Sequence, residues 1–477
     1  MRWTMEQVAG SLGLVPPAGV SPLARLAGVS IDSRNLRPGE LFIAIHGPRH
    51  DGHTFVAAAL AAGAPAVVVA KSRLGDYHEE IRARLFAVDD TLAALHRLAQ
   101  AVRRNWGRRL AGVTGSVGKT TAKEILAALV GARRRVLRSE GNLNNEYGLP
   151  LTLLRLEEEH EAAVVEMGMS HRGELARLCE TAEPEVGVVT NVEPVHLEFF
   201  SSTEEIALAK RELVEGLAGP QPVAVLNADD ARVARFAENF RGRALTFGLD
   251  ARAMFRAEKV EPRGVQGAAF DCVTPTWRSR LELRLAGMHN VRNALAALAA
   301  ASVWEVGAEE ARAVLPQVAA AGMRGRIERY AGDFSVINDA YNSNPAALAA
   351  MTELLSSIAG HRRRILAAGE MLELGPLSPE LHREAGRRAA ARGVDWIFGI
   401  SGHAQDLVAG AVEAGFSPRH AGFFEDSAEA GTFLADFVAP GDLLLVKGSR
   451  GVKMEKIIAA LTGRFGAPQT SDRGAGG

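Results

Sequence analysis

Short runs of consecutive apolar residues divide the chain into three zones that differ in their pattern. The first zone, residues 1–105, holds brief apolar runs at 41–45 and 66–69 and closes with a helical pattern at 91–105. Brief strands that alternate with helical stretches predict a small α/β unit. No such pattern continues to the end of the chain, and we expect residues 471–477 to be a disordered tail.

In the second zone, residues 106–321, the apolar runs show no alternation with polar positions. Continuous runs at 162–165, 186–189 and 223–226 are typical of strands in a parallel sheet that is buried on both faces. Residues 255–285 alternate more regularly, which favours an antiparallel insertion. We therefore predict a central domain built on a parallel sheet.

A bend rich in glycine and arginine, residues 322–326, opens the third zone, residues 322–470. Apolar runs alternate there with helical stretches, at residues 334–337, 364–367, 396–398 and 443–446. This pattern predicts a second doubly wound, Rossmann-like sheet, so the predicted fold class is α/β with three domains. Ligands of such sheets bind beyond the carboxyl ends of the strands, so residues that directly follow a strand are candidates for a site.

The composition and charge of the chain disfavour several classes of protein. Basic and acidic residues number 55 and 56, for a net charge of −1, which disfavours a nucleic-acid binder that relies on overall countercharge. The longest uncharged stretch, residues 54–70, contains Gly63 and Pro65 and predicts a helix, a turn and a strand instead of a membrane span. Two cysteines, Cys179 and Cys272, cannot alone form a disulfide framework or a zinc site, which indicates a protein of the reducing cytoplasm.

A glycine-rich loop joins a predicted strand to a predicted helix in the second zone. Backbone N–H groups beside glycines can approach phosphate oxygens, and the helix dipole favours an anion. Lys119 matches the lysine that reaches the terminal phosphates, and Thr120 matches the hydroxyl that binds Mg²⁺. The general pattern requires glycine at position 113, where this chain has valine, but the order of strand, loop and helix favours nucleotide binding over a chance surface turn. The predicted loop residues are Thr114, Gly115, Ser116, Val117, Gly118, Lys119, Thr120 and Thr121.

Two further strands of this zone are followed by residues that suit a magnesium site. Glu166 follows the run at 162–165, and a carboxylate there can face the phosphate loop and share a Mg²⁺ ion with Thr120. His196 lies in the loop after the run at 186–189. A single loop histidine is usually only solvated. The residues alone therefore leave open whether His196 belongs to the site or is an ordinary solvated loop residue.

A lysine lies on the apolar face of the next predicted helix. Ser-Thr-Glu-Glu at 202–205 predicts a capping box at the start of that helix. Lys210 shares one side of the helix with three apolar residues, Ile206, Leu213 and Leu217. Such a lysine commonly extends along the apolar stripe to water. If it is buried instead, desolvation lowers its pKa and favours the neutral amine, which can react with CO₂ to give a carboxylate-like metal ligand.

Together these motifs resemble the Mur ligase family, ATP-dependent amino-acid ligases of bacterial cell-wall synthesis, over nearly the whole chain. The loop at 114–120 is similar to that family's own shortened phosphate loop, which accounts for the valine at position 113. The resemblance implies ATP and two Mg²⁺ ions, with a carbamylated Lys210 and with Glu166 and His196 as further magnesium ligands. It implies catalytic roles for Lys119, Lys210, His196 and Arg326, and ATP contacts from Asn290, Asn293, Arg326 and Asp339.

Within the family, the chain is most similar to the member that joins D-alanyl-D-alanine to UDP-N-acetylmuramoyl-tripeptide. The motifs that carry this similarity lie at residues 141–148, 338–345 and 369–374. The similarity implies a cytoplasmic monomer whose three domains bind, in chain order, the UDP-sugar, ATP and the incoming dipeptide. It implies substrate contacts from Ser33, Arg34, Asp51, His53, Asn142, Asn145, Tyr341, Asn342 and Asn344.

Other functions stay open at this point. A related family member adds a single amino acid to a UDP-muramoyl-peptide, but the Asp-Asn-Pro-Arg run of the enzyme that adds a diamino acid is absent. A folate-type ligase would lack the N-terminal domain. A nucleotide-gated switch or motor is the alternative of another class, although the Asn-Lys-x-Asp run of its guanine-specific form is also absent. Locally, Asn342 and Asn344 could merely cap a helix, and residues 32–34 could form a plain turn.

Overall fold

The structure is a computed structural model that describes residues 3–47, 50–320 and 322–470. It contains three α/β domains, each with its own sheet, so the predicted fold class is confirmed. The tail predicted at 471–477 lies outside the described residues.

The N-terminal domain has a small parallel sheet. Its strands are β1 (Gly28–Ser30), β2 (Glu40–Ile43), β3 (Val67–Ala70) and β4 (Leu85–Val88), and its helices are α1 (Met5–Leu12), α2 (Val56–Ala61), α3 (Glu79–Arg82) and α4 (Thr91–Trp106). The sheet order is β1-β2-β3-β4, and all neighbours are parallel. The predicted runs at 41–45 and 66–69 correspond to β2 and β3. None of the helices in the described ranges is long and apolar enough to cross a membrane.

The central domain is built on a nine-stranded sheet. Its strands are β5 (Leu110–Thr114), β6 (Val136–Arg138), β7 (Ala162–Glu166), β8 (Val186–Val189), β9 (Val223–Asn227), β10 (Arg243–Gly248), β11 (Phe255–Pro262), β12 (Ala268–Val273) and β13 (Arg278–Leu283). Its helices are α5 (Lys119–Gly131), α6 (Gly148–Leu153), α7 (Glu174–Ala182), α8 (Thr203–Glu215), α9 (Ala231–Ala234), α10 (Met288–Ala301) and α11 (Ala308–Val314).

The order of strands in the central sheet is β13-β12-β11-β10-β9-β8-β5-β7-β6. Strands β5 to β11 pair in parallel, so the carboxyl ends of β5, β7 and β8 meet at one edge of the sheet. The segment at 255–285 is antiparallel as predicted, and it extends the central sheet, because β11 pairs with β10. Its alternation arises because one side of β13 is exposed while the other is buried.

The C-terminal domain has a seven-stranded sheet. Its strands are β14 (Arg326–Tyr330), β15 (Phe334–Asp339), β16 (Arg363–Gly369), β17 (Trp396–Ile400), β18 (Ala421–Phe424), β19 (Asp442–Lys447) and β20 (Gln469–Thr470). Its helices are α12 (Pro345–Ser357), α13 (Ser378–Ala390), α14 (Ala404–Glu413), α15 (Ser427–Phe437) and α16 (Glu455–Phe465).

The order of strands in the C-terminal sheet is β18-β17-β16-β19-β15-β14-β20. The four predicted runs form the parallel strands β15, β16, β17 and β19. The predictions did not include β14 or β18, because charged residues interrupt β14 and β18 is only half-buried. The bend at 322–326 leads directly into β14, which pairs antiparallel with β15 and with the edge strand β20.

Helix α4 attaches the N-terminal domain to the central domain. Its apolar residues Leu95 and Leu98 belong to the same buried cluster as Leu178 of α7, so one apolar core crosses the domain boundary. On the polar side, the buried guanidinium of Arg103 donates to the backbone carbonyls of residues 182 and 183 and to the carboxylate of Glu185. The two domains are therefore held together by both apolar packing and buried charge-assisted hydrogen bonds.

Replacing Arg103 by methionine should destabilise the protein by about 2 kcal/mol, because several hydrogen bonds of a charged donor are lost together. The neighbouring Arg104 is a matched control, since its side chain is 61% exposed against 4% for Arg103 and pairs with Glu183 at the surface. Arg104→Met should change the stability by less than about 1 kcal/mol. Thermal unfolding of both variants measures the difference, and equal destabilisation would contradict this account of the interface.

Candidate functional site

The predicted phosphate loop lies between β5 and α5, at the carboxyl edge of the central sheet. Gly115 and Gly118 adopt positive φ angles of 143° and 88°, which glycine tolerates best. A Cβ atom on Gly115 would lie 1.9 Å from the Thr190 side chain, and one on Gly118 would lie 2.3 Å from that of Asn293. Both the backbone conformation and the close packing therefore require glycine at these positions.

Asn191, which follows β8, holds the loop from the neighbouring strand. Its side-chain oxygen accepts a hydrogen bond from Val117 N–H (2.9 Å), and its amide nitrogen donates to the Val117 carbonyl (3.1 Å). Its backbone carbonyl accepts a hydrogen bond from Ser116 N–H (3.0 Å). The shape of the loop is thus fixed by contacts from outside the loop.

Lys119 is half-buried and folds back over the loop. Its Nζ donates to the carbonyl oxygens of Gly115 (2.7 Å) and Ser116 (3.3 Å). Burial lowers the pKa of Lys119; the carboxylate of Glu166 opposes that shift, and the positive charge of Arg324 adds to it. An anion bound at the loop would favour the ammonium form of this lysine.

The structure brings Thr120 and Glu166 together as the sequence predicts. Thr120 Oγ1 donates to Glu166 Oε2 (2.7 Å), and Asn144 Nδ2 donates to Glu166 Oε1 (2.8 Å). The Glu166 carboxylate is buried, at 2% exposure. Mg²⁺ prefers oxygen ligands and commonly takes one or two carboxylates together with phosphate oxygens. The donor set of Thr120 and Glu166 therefore fits a magnesium ion beside the phosphate loop.

Lys210 is buried on α8, at 2% exposure, so its amine does not extend along the apolar stripe to water. Burial, with a smaller contribution from the positive charge of Lys119, holds the pKa of Lys210 well below its usual value. Of the two alternatives that the sequence leaves open, the structure shows the buried lysine and not the one that extends to water.

The start and end of α8 differ from the prediction. Ser202 caps the helix by accepting a hydrogen bond from Glu205 N–H, but the Glu205 carboxylate accepts one from Ser201 N–H, so the predicted capping box is only half formed. The helix ends at Glu215, and Leu217 lies beyond it. Lys210 therefore shares the helical stripe with Ile206 and Leu213 only.

His196 faces the C-terminal domain. Its Nδ1 lies 2.5 Å from Glu373 Oε2, and the backbone carbonyl of Glu373 accepts a hydrogen bond from Glu198 N–H (3.2 Å). His196 and Glu373 both have positive φ angles, 56° and 63°, so two tight turns meet across the domain boundary. In the described part of the chain, no group of three or more His, Cys, Asp and Glu side chains is arranged to hold a metal, so the predicted ligand role of His196 stays a prediction.

A cleft of about 130 Å³ separates the phosphate loop from the C-terminal domain. From the central domain it is lined by residues 116–121, His289, Asn290 and Asn293. From the C-terminal domain it is lined by Arg324, Gly325, Asp339, Tyr341, Asn342, Asn344, Ala347, Met351 and Lys447. The structure thus gathers the phosphate loop with the other residues predicted to contact ATP, except Arg326, and with three of the predicted substrate contacts.

Arg326 does not line this cleft. It is the first residue of β14, and its Nε is buried with no hydrogen-bond partner among the described residues. Arg324, two residues earlier, lines the cleft instead. The predicted ATP contact of Arg326 therefore stays a prediction, and Arg324 is a candidate that the sequence did not reveal.

Lys447 is a second cleft residue that the sequence did not reveal. It ends β19 next to the end of β15, and its Nζ donates to Asp339 Oδ2 (2.5 Å) and to the Asn342 carbonyl (2.8 Å). Its position directly after an apolar strand is the one signal that could have identified it. Asn144, which donates a hydrogen bond to Glu166, is a further site residue that the sequence did not reveal. It lies between the predicted substrate residues Asn142 and Asn145, and no pattern around it indicates this contact.

A second cavity of about 490 Å³ continues the cleft along the central domain. The two cavities share Val117, Gly118, His289 and Asn293. Asn290 Nδ2 donates to the Ala286 carbonyl (2.8 Å), and Asn293 Nδ2 donates to Asn290 Oδ1 (3.2 Å), so these two amides form a connected pair at the start of α10. The site is therefore an elongated groove with the phosphate loop near its middle.

The predicted substrate residues of the N-terminal domain lie in two tight turns. The Arg34 guanidinium donates twice to the Asp32 carboxylate (2.9 and 2.7 Å), with Ser33 between them. Asp51 accepts hydrogen bonds from the backbone N–H and Nδ1 of His53 (3.0 and 2.7 Å), while His53 Nε2 accepts one from a backbone N–H of β3 (3.0 Å). Both ring nitrogens of the buried His53 are thus engaged in holding its turn, and the substrate roles of these residues stay predictions.

Two of the predicted substrate asparagines accept hydrogen bonds from backbone N–H groups near the start of a helix. Asn145 Oδ1 accepts hydrogen bonds from the N–H groups of residues 147 and 148 at the start of α6, and Asn344 Oδ1 accepts one from Ala347 N–H at the start of α12. Asn342 Oδ1 accepts a hydrogen bond from the next residue and does not cap α12. Asn142 is exposed. The capping alternative therefore holds for Asn344 and not for Asn342.

Three family models match the chain in succession. They are described as "Mur ligase family, catalytic domain" (residues 25–103), "Mur ligase middle domain" (residues 113–301) and "Mur ligase, glutamate ligase domain" (residues 325–450). A Bacillus subtilis protein named UDP-N-acetylmuramoyl-tripeptide–D-alanyl-D-alanine ligase is 34% identical over 434 residues, which cover 91% of this chain and 93% of that protein. This chain belongs to the Mur ligase family. An Escherichia coli Mur ligase of the same name is also 34% identical, over 91% of this chain and 94% of its own length.

Solved structures of Mur ligases superpose on nearly the whole chain. A crystal structure of MurF from Acinetobacter baumannii aligns with a TM-score of 0.87 at 30% identity, over 97% of this chain and 99% of that one. MurF ligase from Thermotoga maritima, solved in complex with ADP, aligns with a TM-score of 0.79 at 28% identity, over 92% of this chain and 97% of that one. This Mur ligase therefore shares the complete three-domain architecture of those relatives.

Substitution of Gly118 by alanine should weaken nucleotide binding by this Mur ligase about tenfold or more, because the added Cβ strains the backbone and displaces Asn293. Calorimetric titration with ADP measures the effect. Gly131, at the end of the same helix, is a matched control, since nothing lies within 4 Å of an added Cβ and no positive φ is required there. Gly131→Ala should bind ADP as the wild type does, and unaltered ADP binding by Gly118→Ala would contradict the close packing of the loop.

Proposed function

We propose that this Mur ligase joins D-alanyl-D-alanine to UDP-N-acetylmuramoyl-tripeptide and converts ATP to ADP and phosphate. The observation that carries the proposal is the groove in which the phosphate loop of one domain faces Asp339, Tyr341 and Lys447 of another. Such an arrangement suits a reaction between a nucleotide and a substrate held by separate domains. The choice of substrates is supported by the names of relatives that match over more than nine tenths of the chain.

We assign one substrate to each domain. Residues 1–105 bind the UDP-sugar, residues 106–321 bind ATP, and residues 322–470 receive the dipeptide. We place the reaction in the cytoplasm, which is supported by two buried cysteines that are unpaired thiols. A monomer supplies all three domains, and we propose that state for the active enzyme.

The reaction proceeds in two steps because a carboxylate is a poor acylating agent. The terminal carboxylate of the tripeptide first takes the γ-phosphoryl group of ATP, which gives an acyl phosphate and ADP. The dipeptide amine then attacks the acyl carbon, the bond from that carbon to the phosphate oxygen breaks, and phosphate leaves as the amine loses a proton. Lys119 stabilises negative charge on the phosphoryl group during transfer. Closure of the C-terminal domain over the groove excludes water from the acyl phosphate.

Thr120 and Glu166 are the residues that would hold Mg²⁺, with the Asn144 amide fixing the second carboxylate oxygen. Bound there, Mg²⁺ neutralises charge on the phosphates of ATP. His196 would contribute through Nε2, since Nδ1 is engaged by Glu373. Two ions would be held in this way, with ligands from Thr120, Glu166, His196 and Lys210.

Lys210 is proposed to act as a carbamate. The neutral Nζ attacks the carbon of CO₂, a nitrogen–carbon bond forms, and one amine proton is released to solvent, so the side chain becomes an anion. The burial of the amine supports this step, since it holds the pKa of Lys210 well below its usual value. The carbamate would also place a negative charge near the positive charge of Lys119, to which it is attracted.

The proposal is tested by supplying the purified protein with ATP, UDP-N-acetylmuramoyl-tripeptide and D-alanyl-D-alanine. Tripeptides that end in diaminopimelate or in lysine are compared, and single amino acids replace the dipeptide in parallel reactions. With the dipeptide, and not with single amino acids, we expect a product whose mass is that of the two co-substrates together less one water. Phosphate should be released only when both co-substrates are present. Folded Lys119→Ala should lose at least about 100-fold in rate, because the positive charge on the transferring phosphoryl group is removed.

Two results would contradict the proposed function. Ligation of a single amino acid without ligation of the dipeptide would indicate the related type of Mur ligase. Phosphate release that does not require either co-substrate would indicate a switch or motor. A normal rate in Lys119→Ala would remove that residue from the mechanism without affecting the substrate assignment.

The carbamate is tested with two substitutions of Lys210. Lys210→Ala should be inactive and should regain part of its activity with added formate or acetate, because a short carboxylate restores negative charge in the vacated space. Lys210→Arg keeps a cation that cannot be carbamylated, so it should stay inactive. In addition, ¹³C NMR of the protein with ¹³CO₂ should show a carbamate signal that disappears in both variants.

Arg211→Ala is the matched control for Lys210, since Arg211 is the next residue of α8 and pairs with Glu215 at the surface. It should remain active without added carboxylate and should keep the ¹³C signal. Full activity of Lys210→Arg would exclude the carbamate.

A further inference from the structure

Lys123 is a buried cation that the proposed mechanism does not use. It lies on α5 about one turn after Thr120, on the same side of that helix. Its side chain is fully buried, and its Nζ lies 2.6 Å from Glu124 Oε1. A buried ammonium is costly even when it is paired, whereas an apolar side chain would fill the same space without that cost. The contacts of the amine therefore indicate what the charge contributes.

The amine of Lys123 holds the residue at which the chain leaves β6. Its Nζ donates to the backbone carbonyl of Ser139 (2.6 Å), and Ser139 directly follows β6. Ser139 N–H donates to the Val164 carbonyl of β7 (3.2 Å), so this residue is still in register with the sheet. In a regular parallel ladder, the Ser139 carbonyl would next accept the N–H of Glu166. Here that carbonyl accepts from Lys123 instead.

The N–H of Glu166 is bound by the side chain of the same serine. It donates to Ser139 Oγ (3.0 Å). Both residues are buried, at 1% exposure for Ser139 and 2% for Glu166, so each polar group depends on a partner within the protein. Without Lys123, the Ser139 carbonyl would lose this donor, and the N–H that a regular ladder offers it is that of Glu166. The contact of Lys123 therefore decides which oxygen of Ser139 holds the backbone of Glu166.

Glu166 is the carboxylate whose surroundings fit a magnesium ion. Thr120 and Asn144 each donate to one of its carboxylate oxygens, while Ser139 holds its backbone. Asn144 belongs to the loop that begins after Ser139, so the position of Ser139 also affects the second of these contacts. Lys123 thus lies at the base of two of the three contacts that orient Glu166.

We propose that Lys123 is a positioning residue for the magnesium site, which holds Ser139 so that its hydroxyl fixes Glu166 and the following loop presents Asn144 to the carboxylate. This inference rests on the proposed function in that it takes ATP and Mg²⁺ as occupants of the site. Lys123 contacts neither of them and acts through Ser139. Partners that orient a metal ligand in this way commonly change metal affinity by about 10-fold to 100-fold.

A direct attraction between Lys123 and the phosphates of ATP is the competing role. The observations favour positioning, because the Lys123 amine is engaged by the Ser139 carbonyl and the Glu124 carboxylate. The cleft beside the phosphate loop is lined by Lys119 and Thr120 of the same helix and not by Lys123. A cation that is paired and directed toward β6 contributes little to an anion in that cleft.

The proposal is tested by calorimetric titration with ADP, once with excess Mg²⁺ and once with EDTA. The ratio of the two affinities measures how much the metal strengthens nucleotide binding, and we call it the magnesium gain. Lys123→Met should reduce the magnesium gain about tenfold or more, while its affinity for ADP in EDTA should equal that of the wild type. In ligation assays, the Mg²⁺ concentration for half-maximal rate should rise, and saturating Mg²⁺ should restore most of the rate.

Arg138→Met is the matched control. Arg138 directly precedes Ser139 and pairs with the same Glu124 (2.8 Å), but its side chain is 54% exposed. It therefore shares the ion-pair partner of Lys123 without holding the Ser139 carbonyl. Arg138→Met should keep the full magnesium gain.

Ser139→Ala tests whether Lys123 acts through the serine. This variant removes the hydroxyl that accepts the Glu166 N–H and keeps the carbonyl that accepts from Lys123. It should lose magnesium gain as Lys123→Met does. The double variant should lose no more than the more defective single variant, because both changes disrupt the same chain of contacts.

Four results would overturn the inference. They are a full magnesium gain in Lys123→Met, an equal loss of ADP affinity with and without Mg²⁺, additive losses in the double variant, and an equal loss of gain in Arg138→Met. Should Lys123→Met fail to fold, Ser139→Ala decides alone, and a wild-type gain in that variant would overturn the inference.

The proposed function fails by a different result. A wild type that binds no ADP, or that binds ADP equally with and without Mg²⁺, would overturn the proposed use of Mg-ATP together with this inference. Ligation of a single amino acid in place of the dipeptide would overturn the substrate assignment and leave the role of Lys123 intact.

Discussion

Positive charge held out of water at the carboxyl edge of the central sheet is the constraint on which the site depends. The positive charge of Lys119 adds to the burial that lowers the pKa of Lys210, and the positive charge of Arg324 adds to the burial that lowers the pKa of Lys119. The fold tolerates this arrangement because rigid contacts, such as those of Asn191 with the loop, hold the backbone in place. Repulsion among the cations becomes attraction once a polyphosphate enters, so the same charges that destabilise the empty site provide selectivity for the nucleotide.

The local sequence pattern was sufficient to predict those features whose residues are contiguous in the chain. The phosphate loop could be recognised because the strand, the glycines, the lysine and the helix follow one another within residues 110–130. The parallel strands of the central sheet could be recognised because burial on both faces leaves an uninterrupted apolar run. The position of Lys210 on an apolar stripe raised the question of its burial, but only the packing of α8 against the sheet answered it.

Features that depend on distant residues could not be predicted in the same way. Glu373 meets His196 across 177 positions of the chain, and Lys447 meets Asp339 across 108. Strand β14 lacks an apolar run because charged residues interrupt it. The resemblance to a family indicated Arg326, yet the packing of β14 decides which of two neighbouring arginines points into the groove, and here Arg324 does. Side-chain direction at a domain boundary is a tertiary property that no local pattern encodes.

The meeting of His196 with Glu373 restricts how the domains can be recombined. Both residues hold a left-handed backbone, which costs about 1 kcal/mol or more for each unless its surroundings fix it. Each turn is fixed in part by the other, through the side-chain contact and through the hydrogen bond from Glu198 to the Glu373 carbonyl. A chimera that combined this central domain with the C-terminal domain of a distant relative would separate the two halves of that arrangement. The two loops that meet at this domain boundary must therefore change together when one of the domains is exchanged.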